Sequence, residues 1–146
     1  MASIRQRFFI RKKDFNRAGE STINLKNILK SMNFDPALIR RLSICGYEGE
    51  INVVIHGGDG TMDLEIFPDH LVLEISDNGP GIEDIELAMT EGYSTATDEH
   101  REMGFGAGMG LPNMRKNSDE FRIESQVGVG TKVYMSFNLQ PPGKTS

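Results

Sequence analysis

Apolar and polar positions follow two different periods along the chain, and the switches between them lay out its elements. Residues 7–15 (RFFIRKKDF) read as a first strand. Between 16 and 33, Ala18, Leu25, Ile28, Leu29 and Met32 recur on one face at helical spacing, with Gly19 a weak point near the start. Asp35 and Pro36 open a second helix: an acceptor at the cap, then a proline where a missing N–H costs nothing. That helix aligns Leu38, Leu42, Cys45, Gly49 and Val53 along one stripe and Glu48, Asn52 and His56 along another. The Gly-Gly-Asp-Gly run at 57–60 should stop it. Two strands at 61–67 and 70–76 follow, joined by Pro68-Asp69 as a hairpin. A short helix at 82–89, a helix at 111–118 and strands at 121–124 and 131–139 around a turn at 126–130 complete the chain. Helices and hairpin-linked strands in this order predict an α+β two-layer sandwich, with helices on one face of a mixed, mainly antiparallel sheet.

Length and charge narrow the function. The 146 residues, 38% hydrophobic and 25% charged, suit one domain, placed at 1–140 with a frayed tail at 141–146. No apolar run nears the roughly 20 residues of a bilayer span, and the N-terminus has no secretory apolar region. A cytoplasmic protein without a membrane partner is expected. A net charge of −5 disfavours nucleic acid as a partner. Cys45, the only cysteine, excludes an intrachain disulfide and a cysteine-based zinc cage.

Glycine is the anomaly. Sixteen glycines exceed the usual share of about 7%, and they gather in clusters between periodic segments rather than in one linker. Several familiar motifs fail. Gly143-Lys144-Thr145 lacks the leading glycine of a P-loop, because Asn138 stands there. The run from Gly104 to Gly110 fits no dinucleotide fingerprint in either frame, and the three histidines lie in unrelated contexts.

What remains is an ordered set. Asp77, at a strand end before Gly79 and Gly81, can offer a carboxylate to an exocyclic amine such as that of adenine, while the glycines let the turn pass beneath a flat base. Gly104, Gly106, Ala107, Gly108, Met109 and Gly110 lead into a helix beginning at Leu111, and free N–H groups beside a helix N-terminus suit a polyphosphate. Glu48 and Asn52, four apart on one helix face, offer a carboxylate to deprotonate a hydroxyl and an amide oxygen suited to Mg²⁺. His56 extends that stripe, and Gly128-Val129-Gly130-Thr131 heads the last strand.

Together these segments resemble the N, G1, G2 and G3 boxes of the GHKL ATPase superfamily, which includes gyrase, the histidine kinases and MutL, over about residues 35–137. Within it the chain is similar to the stand-alone anti-sigma and stressosome-switch serine/threonine kinases. The resemblance implies the Bergerat ATP-binding fold and ATP with Mg²⁺. It implies Asn52 at the metal, Glu48 as general base and Asp77 at adenine. Gly79, Gly81, His56 and Thr131 would line the nucleotide, with Gly104 through Leu111 at the phosphates and a lid at about 89–103. It further implies a protein partner, such as a STAS-type antagonist, a sigma factor or a phosphatase, with a homodimer among the expected assemblies. A nucleotide-gated binding module and a detached histidine-kinase catalytic domain are the rival readings.

Two departures from the family pattern stand out. Gly49 replaces the usual alanine after the base, at about 1 kcal/mol in a helix interior, which close approach by another segment would explain. The arginine that precedes the phosphate glycines in the sporulation-type kinases is absent, with Arg101 or Arg115 as substitutes in reach of the sequence.

Overall fold

The computed structural model describes residues 3–56, 58–90 and 110–139. Five strands form one sheet: β1 (Ile4–Ile10), β2 (Gly60–Ile66), β3 (His70–Asp77), β4 (Glu120–Gln126) and β5 (Gly130–Asn138). Their spatial order is β1-β2-β3-β5-β4, and every pairing is antiparallel, so the expected mixed sheet is corrected to an antiparallel one among the described residues. Four helices are described: α1 (Glu20–Ser31), α2 (Pro36–His56), the short α3 (Ile85–Ala88) and α4 (Gly110–Asn117). The α+β class and the element order match the expectation. No described helix is long and apolar enough to cross a membrane.

Strict alternation gives the sheet two faces. Met62, Leu64 and Ile66 on β2, Leu71, Leu73 and Ile75 on β3, and Val133, Met135 and Phe137 on β5 point inward and are buried. Leu25 and Leu29 of α1, Leu38, Leu42, Cys45 and Val53 of α2, and Met114 of α4 close over them in one core. The opposite face is charged and internally paired. Arg7 faces Asp63 across β1–β2 with a 2.7 Å contact, Arg5 faces Glu65 at 3.3 Å, and Lys132 reaches Glu74 at 3.8 Å. Such exposed pairs contribute little each, but a one-residue slip would break them and turn the apolar set outward.

The first strand ends earlier than its composition suggests. β1 stops at Ile10, because Arg11, Lys12 and Lys13 leave the sheet to close the C-terminus of α2. The Lys13 N–H donates to the Val54 carbonyl at 2.9 Å and its ammonium to the Ile55 carbonyl at 2.5 Å, at the negative end of the helix. The Lys12 N–H adds a bond to Asp59 Oδ1 at 3.0 Å.

α1 likewise starts later than expected. Phe15–Arg17 form a single 3₁₀ turn, and Gly19 adopts φ 98°, a left-handed conformation that ends any continuous helix from 16. Gly19 has no side chain to cap the helix, so the cap comes from α2. Glu50, 2% exposed, accepts the N–H groups of Gly19 (3.0 Å), Ser21 (3.2 Å) and Thr22 (3.0 Å), and the Thr22 hydroxyl at 2.7 Å. One buried carboxylate thus satisfies three of the four backbone donors at the start of α1 and ties that helix to α2. Met32, expected on the core face, follows the end of α1 and is 39% exposed.

α2 meets the sheet where a glycine stands. A Cβ on Gly49 would overlap Ile75 Cδ1, so α2 packs closely on β3 here and a side chain at 49 would require the Ile75 methyl to move. The close approach expected at Gly49 is therefore present. Farther along, Arg41 donates to the Asn117 carbonyl and to Asp119 Oδ1, both at 3.0 Å, joining α2 to the segment after α4.

Removing the Glu50 carboxylate should be costly. Glu50→Ala would leave buried N–H groups of α1 without a partner and is expected to lower unfolding free energy by about 3 kcal/mol in urea titrations. Glu50→Gln, which keeps an acceptor oxygen, should lose less.

Candidate active site

Helical spacing places Glu48 and Asn52 on one side of α2, and α4 packs beside them. Glu48 is half-buried and accepts a hydrogen bond from Asn113 Nδ2 of α4 at 3.3 Å. Burial raises its carboxyl above the ordinary range, and the Asn113 bond partly offsets that. One turn along, Asn52 lies against the first residue of α4: a Cβ at Gly110 would sit 3.1 Å from Asn52 Nδ2. The α4 N-terminus, with its outward N–H groups and positive dipole end, therefore adjoins the Asn52 amide. Cys45 anchors the same helix pair through a 3.6 Å bond from its thiol to the Met114 carbonyl, and burial pushes that thiol up to about 12.

Asp77 terminates β3 between Gly60 of β2 and Thr131 of β5. Its Oδ1 accepts the Gly79 N–H at 2.8 Å, which starts the turn that sequence reasoning placed there. Burial raises its carboxyl, and the backbone N–H groups of Gly79 and Thr131 pull it back down. Gly81 has φ +80°, and a Cβ there would fall 2.5 Å from the Gln126 carbonyl oxygen. The turn is braced against the β4–β5 hairpin: the Gly128 N–H donates to the Pro80 carbonyl at 2.8 Å, and the Ile82 N–H to Ser125 Oγ at 2.7 Å. Ser125 Oγ also lies 2.9 Å from Thr131 Oγ1.

Gly60 joins the two halves. A Cβ at this position would stand 3.0 Å from Val53 Cγ1 and 3.3 Å from Asp77 Cβ, so α2 and the end of β3 meet there. The structure thus brings Glu48 and Asn52 together with Gly110, and Asp77, Gly79 and Gly81 together with Thr131. His56 is the half-buried last residue of α2, and Leu111 is buried in the main core. Gly104, Gly106, Ala107, Gly108 and Met109 lie outside the described residues, as do the greater part of the expected lid and the 141–146 tail. Asn113, Ser125 and Gly60 were not singled out by sequence. For Asn113 a signal existed: it is a polar residue between Leu111, Pro112 and Met114 on a helix whose neighbours are buried.

No group of three or more His, Cys, Asp and Glu side chains among the described residues could hold a metal. A single amide oxygen beside a helix N-terminus instead suits a cation that is held mainly by phosphates.

Residues 25–141 match the family described as "Histidine kinase-, DNA gyrase B-, and HSP90-like ATPase". The chain belongs to this family. Among this ATPase's relatives, the "Serine/threonine-protein kinase RsbT" of Bacillus subtilis is 30% identical over 112 residues, covering 74% of this chain and 78% of that one. An "Anti-sigma F factor" of Clostridium acetobutylicum is 32% identical over 137 residues, covering 80% of this chain and 92% of that one. One of Thermoanaerobacter sp. is 38% identical over 93 residues, covering 64% of this chain and 57% of that one. Family membership implies that the ATPase uses ATP.

The raised Glu48 carboxyl has a measurable consequence for stability. A carboxyl that holds its proton more tightly when folded makes the fold less stable once pH rises through its folded value, and the penalty vanishes below the ordinary carboxylate range. Glu48→Gln should therefore melt higher than the parent at pH 7–8, with the gap closing as pH falls to about 4.

Proposed function

We propose that this ATPase is a serine/threonine protein kinase acting as a regulatory partner switch, which transfers the γ-phosphoryl group of ATP to a small antagonist protein. The single observation that carries this reading is the pairing of Glu48 and Asn52 on α2 against the α4 N-terminus. An enzyme that only bound nucleotide would need an anion site, but no half-buried carboxylate of raised basicity beside it. The relatives named as a serine/threonine kinase and as anti-sigma factors support the same reading.

In this scheme Asp77 accepts the exocyclic amine of adenine. Its carboxylate is held in place by the Gly79 N–H, while Gly81, at φ +80°, lets the turn close against the β4–β5 hairpin. Thr131 lies beside it, positioned by Ser125. The N–H groups opening α4, with the glycine run before them, receive the phosphates. Asn52 supplies an amide oxygen to Mg²⁺, which neutralises phosphate charge when bound. Glu48, oriented by Asn113, takes the proton from the acceptor hydroxyl as its oxygen attacks the γ-phosphorus. The bond to the β–γ bridging oxygen breaks, and ADP leaves. Desolvation helps here, since a carboxylate of raised basicity is a stronger acceptor for that proton. The reaction belongs in the cytoplasm. The acceptor is a STAS-type antagonist, with a sigma factor or phosphatase as the alternative partner held according to nucleotide state.

The test is a transfer assay with labelled ATP, Mg²⁺ and a STAS-type protein encoded near the gene. Acid-stable phosphoserine or phosphothreonine should form. Glu48→Gln should reduce transfer by about 10²-fold or more while ATP affinity holds within about twofold. Asp77→Asn should weaken ATP binding by about tenfold or more in calorimetry. Normal transfer by Glu48→Gln would overturn the base assignment, and acid-labile phosphohistidine would favour a histidine-kinase domain.

A further inference from the structure

A groove of about 1100 Å³ is lined by α1, α2 and the turn between them, and it reaches Glu48 and Asn113. Along α2 its wall rises through Pro36, Arg40, Ser43, Ile44, Tyr47 and Glu48, a single stripe at helical spacing and about 18 Å long at 1.5 Å per residue. Its floor is apolar, with Ile23 59% exposed and Tyr47 40% exposed beside the half-buried Phe34 and Ile44.

Its charge is the decisive feature. The chain as a whole carries −5, yet the groove is lined by Lys26, Lys30 and Arg40, all exposed, and among the described residues by no carboxylate except Glu48. On the open face of the sheet Arg5, Arg7 and Lys132 each have a carboxylate partner. Among the described residues, Lys26, Lys30 and Arg40 make no ion pair with one. An apolar trough flanked by three cations without a carboxylate partner among the described residues, opening onto the expected general base, fits an occupant of complementary composition.

We propose that this groove docks an acidic amphipathic segment of the acceptor protein. Its apolar side lies on Ile23, Phe34 and Ile44, its carboxylates meet Lys26, Lys30 and Arg40, and the hydroxyl to be phosphorylated emerges at Glu48. The inference rests on the kinase reading above and adds the route by which the acceptor is recognised. The cations act at a distance from Asp77 and Asn52, so they select the protein substrate without touching the nucleotide.

The full chain is titrated with a fluorescein-labelled helical peptide that is apolar on one face, glutamate-flanked, and carries one serine near its end. The control peptide has lysine at each glutamate. The acidic peptide should bind and the lysine peptide should not, despite the net negative charge of the protein. Lys26→Glu/Lys30→Glu/Arg40→Glu should weaken the acidic peptide by about tenfold or more and admit the lysine peptide. The single variants Lys30→Glu and Arg40→Glu repeat the readout in milder form should the triple variant fail to fold. ATP calorimetry on the same samples should be unchanged. Equal binding of the two peptides, undiminished acidic-peptide binding by the folded variants, or no binding at all would overturn the groove assignment. Failure of the parent protein to bind ATP would overturn the kinase reading instead, and leave the peptide result to decide the groove.

Discussion

The contact between Gly49 and Ile75 decides where the rest of the site stands. α2 is the longest described helix, and Glu48 and Asn52 on it are placed by how closely it sits on β3. A side chain at 49 would displace the Ile75 methyl, and one too large for that adjustment would press α2 away from β3. Such a shift would strain the Glu48–Asn113 bond and the narrow space beside Gly60 where Val53 meets the end of β3. The loss in helix propensity from a glycine is small against that positional requirement.

Successive residues of α2 point about 100° apart, and three in a row use this to do three unrelated things. Glu48 faces α4 and the groove, Gly49 faces the sheet, and Glu50 faces α1. The two glutamates show how environment separates identical side chains. Glu50 is buried among four donors that compensate its burial. Glu48 has a single 3.3 Å bond from an amide and keeps part of its desolvation cost as basicity. One caps a helix, and the other keeps a raised carboxyl beside α4.

Sequence patterning conveyed the architecture well because period and turn chemistry are local. The Asp35-Pro36 start of α2, its end before the glycine run, both hairpins and the alternation of β2, β3 and β5 need no knowledge of distant residues. The ends of β1 and α1 were misplaced for the opposite reason. Arg11–Lys13 look strand-like until the C-terminus of α2 needs their donors, and the region before Gly19 looks helical until Glu50 arrives to cap α1 instead. The site was legible as an ordered set of residues: Glu48 and Asn52 share one side of α2, and Asp77, Gly79 and Gly81 share the turn that follows β3. Asn113, Ser125 and Gly60 were not, since their roles arise only when α4, the β4–β5 hairpin and the β2–β3 edge fold against partners remote in sequence. The mixed sheet was an over-general expectation. Hairpin links give antiparallel neighbours, and β5 entering beside β3 keeps that sense.

The thiol of Cys45 lies between α2 and α4, bonded to the Met114 carbonyl, and burial holds it far from its reactive form. Being the sole cysteine of the chain, it gives a native clock for that junction. An alkylating reagent can consume it only when the two helices part, so the rate of labelling times the opening of the seam that flanks Asn52, with no engineered probe required.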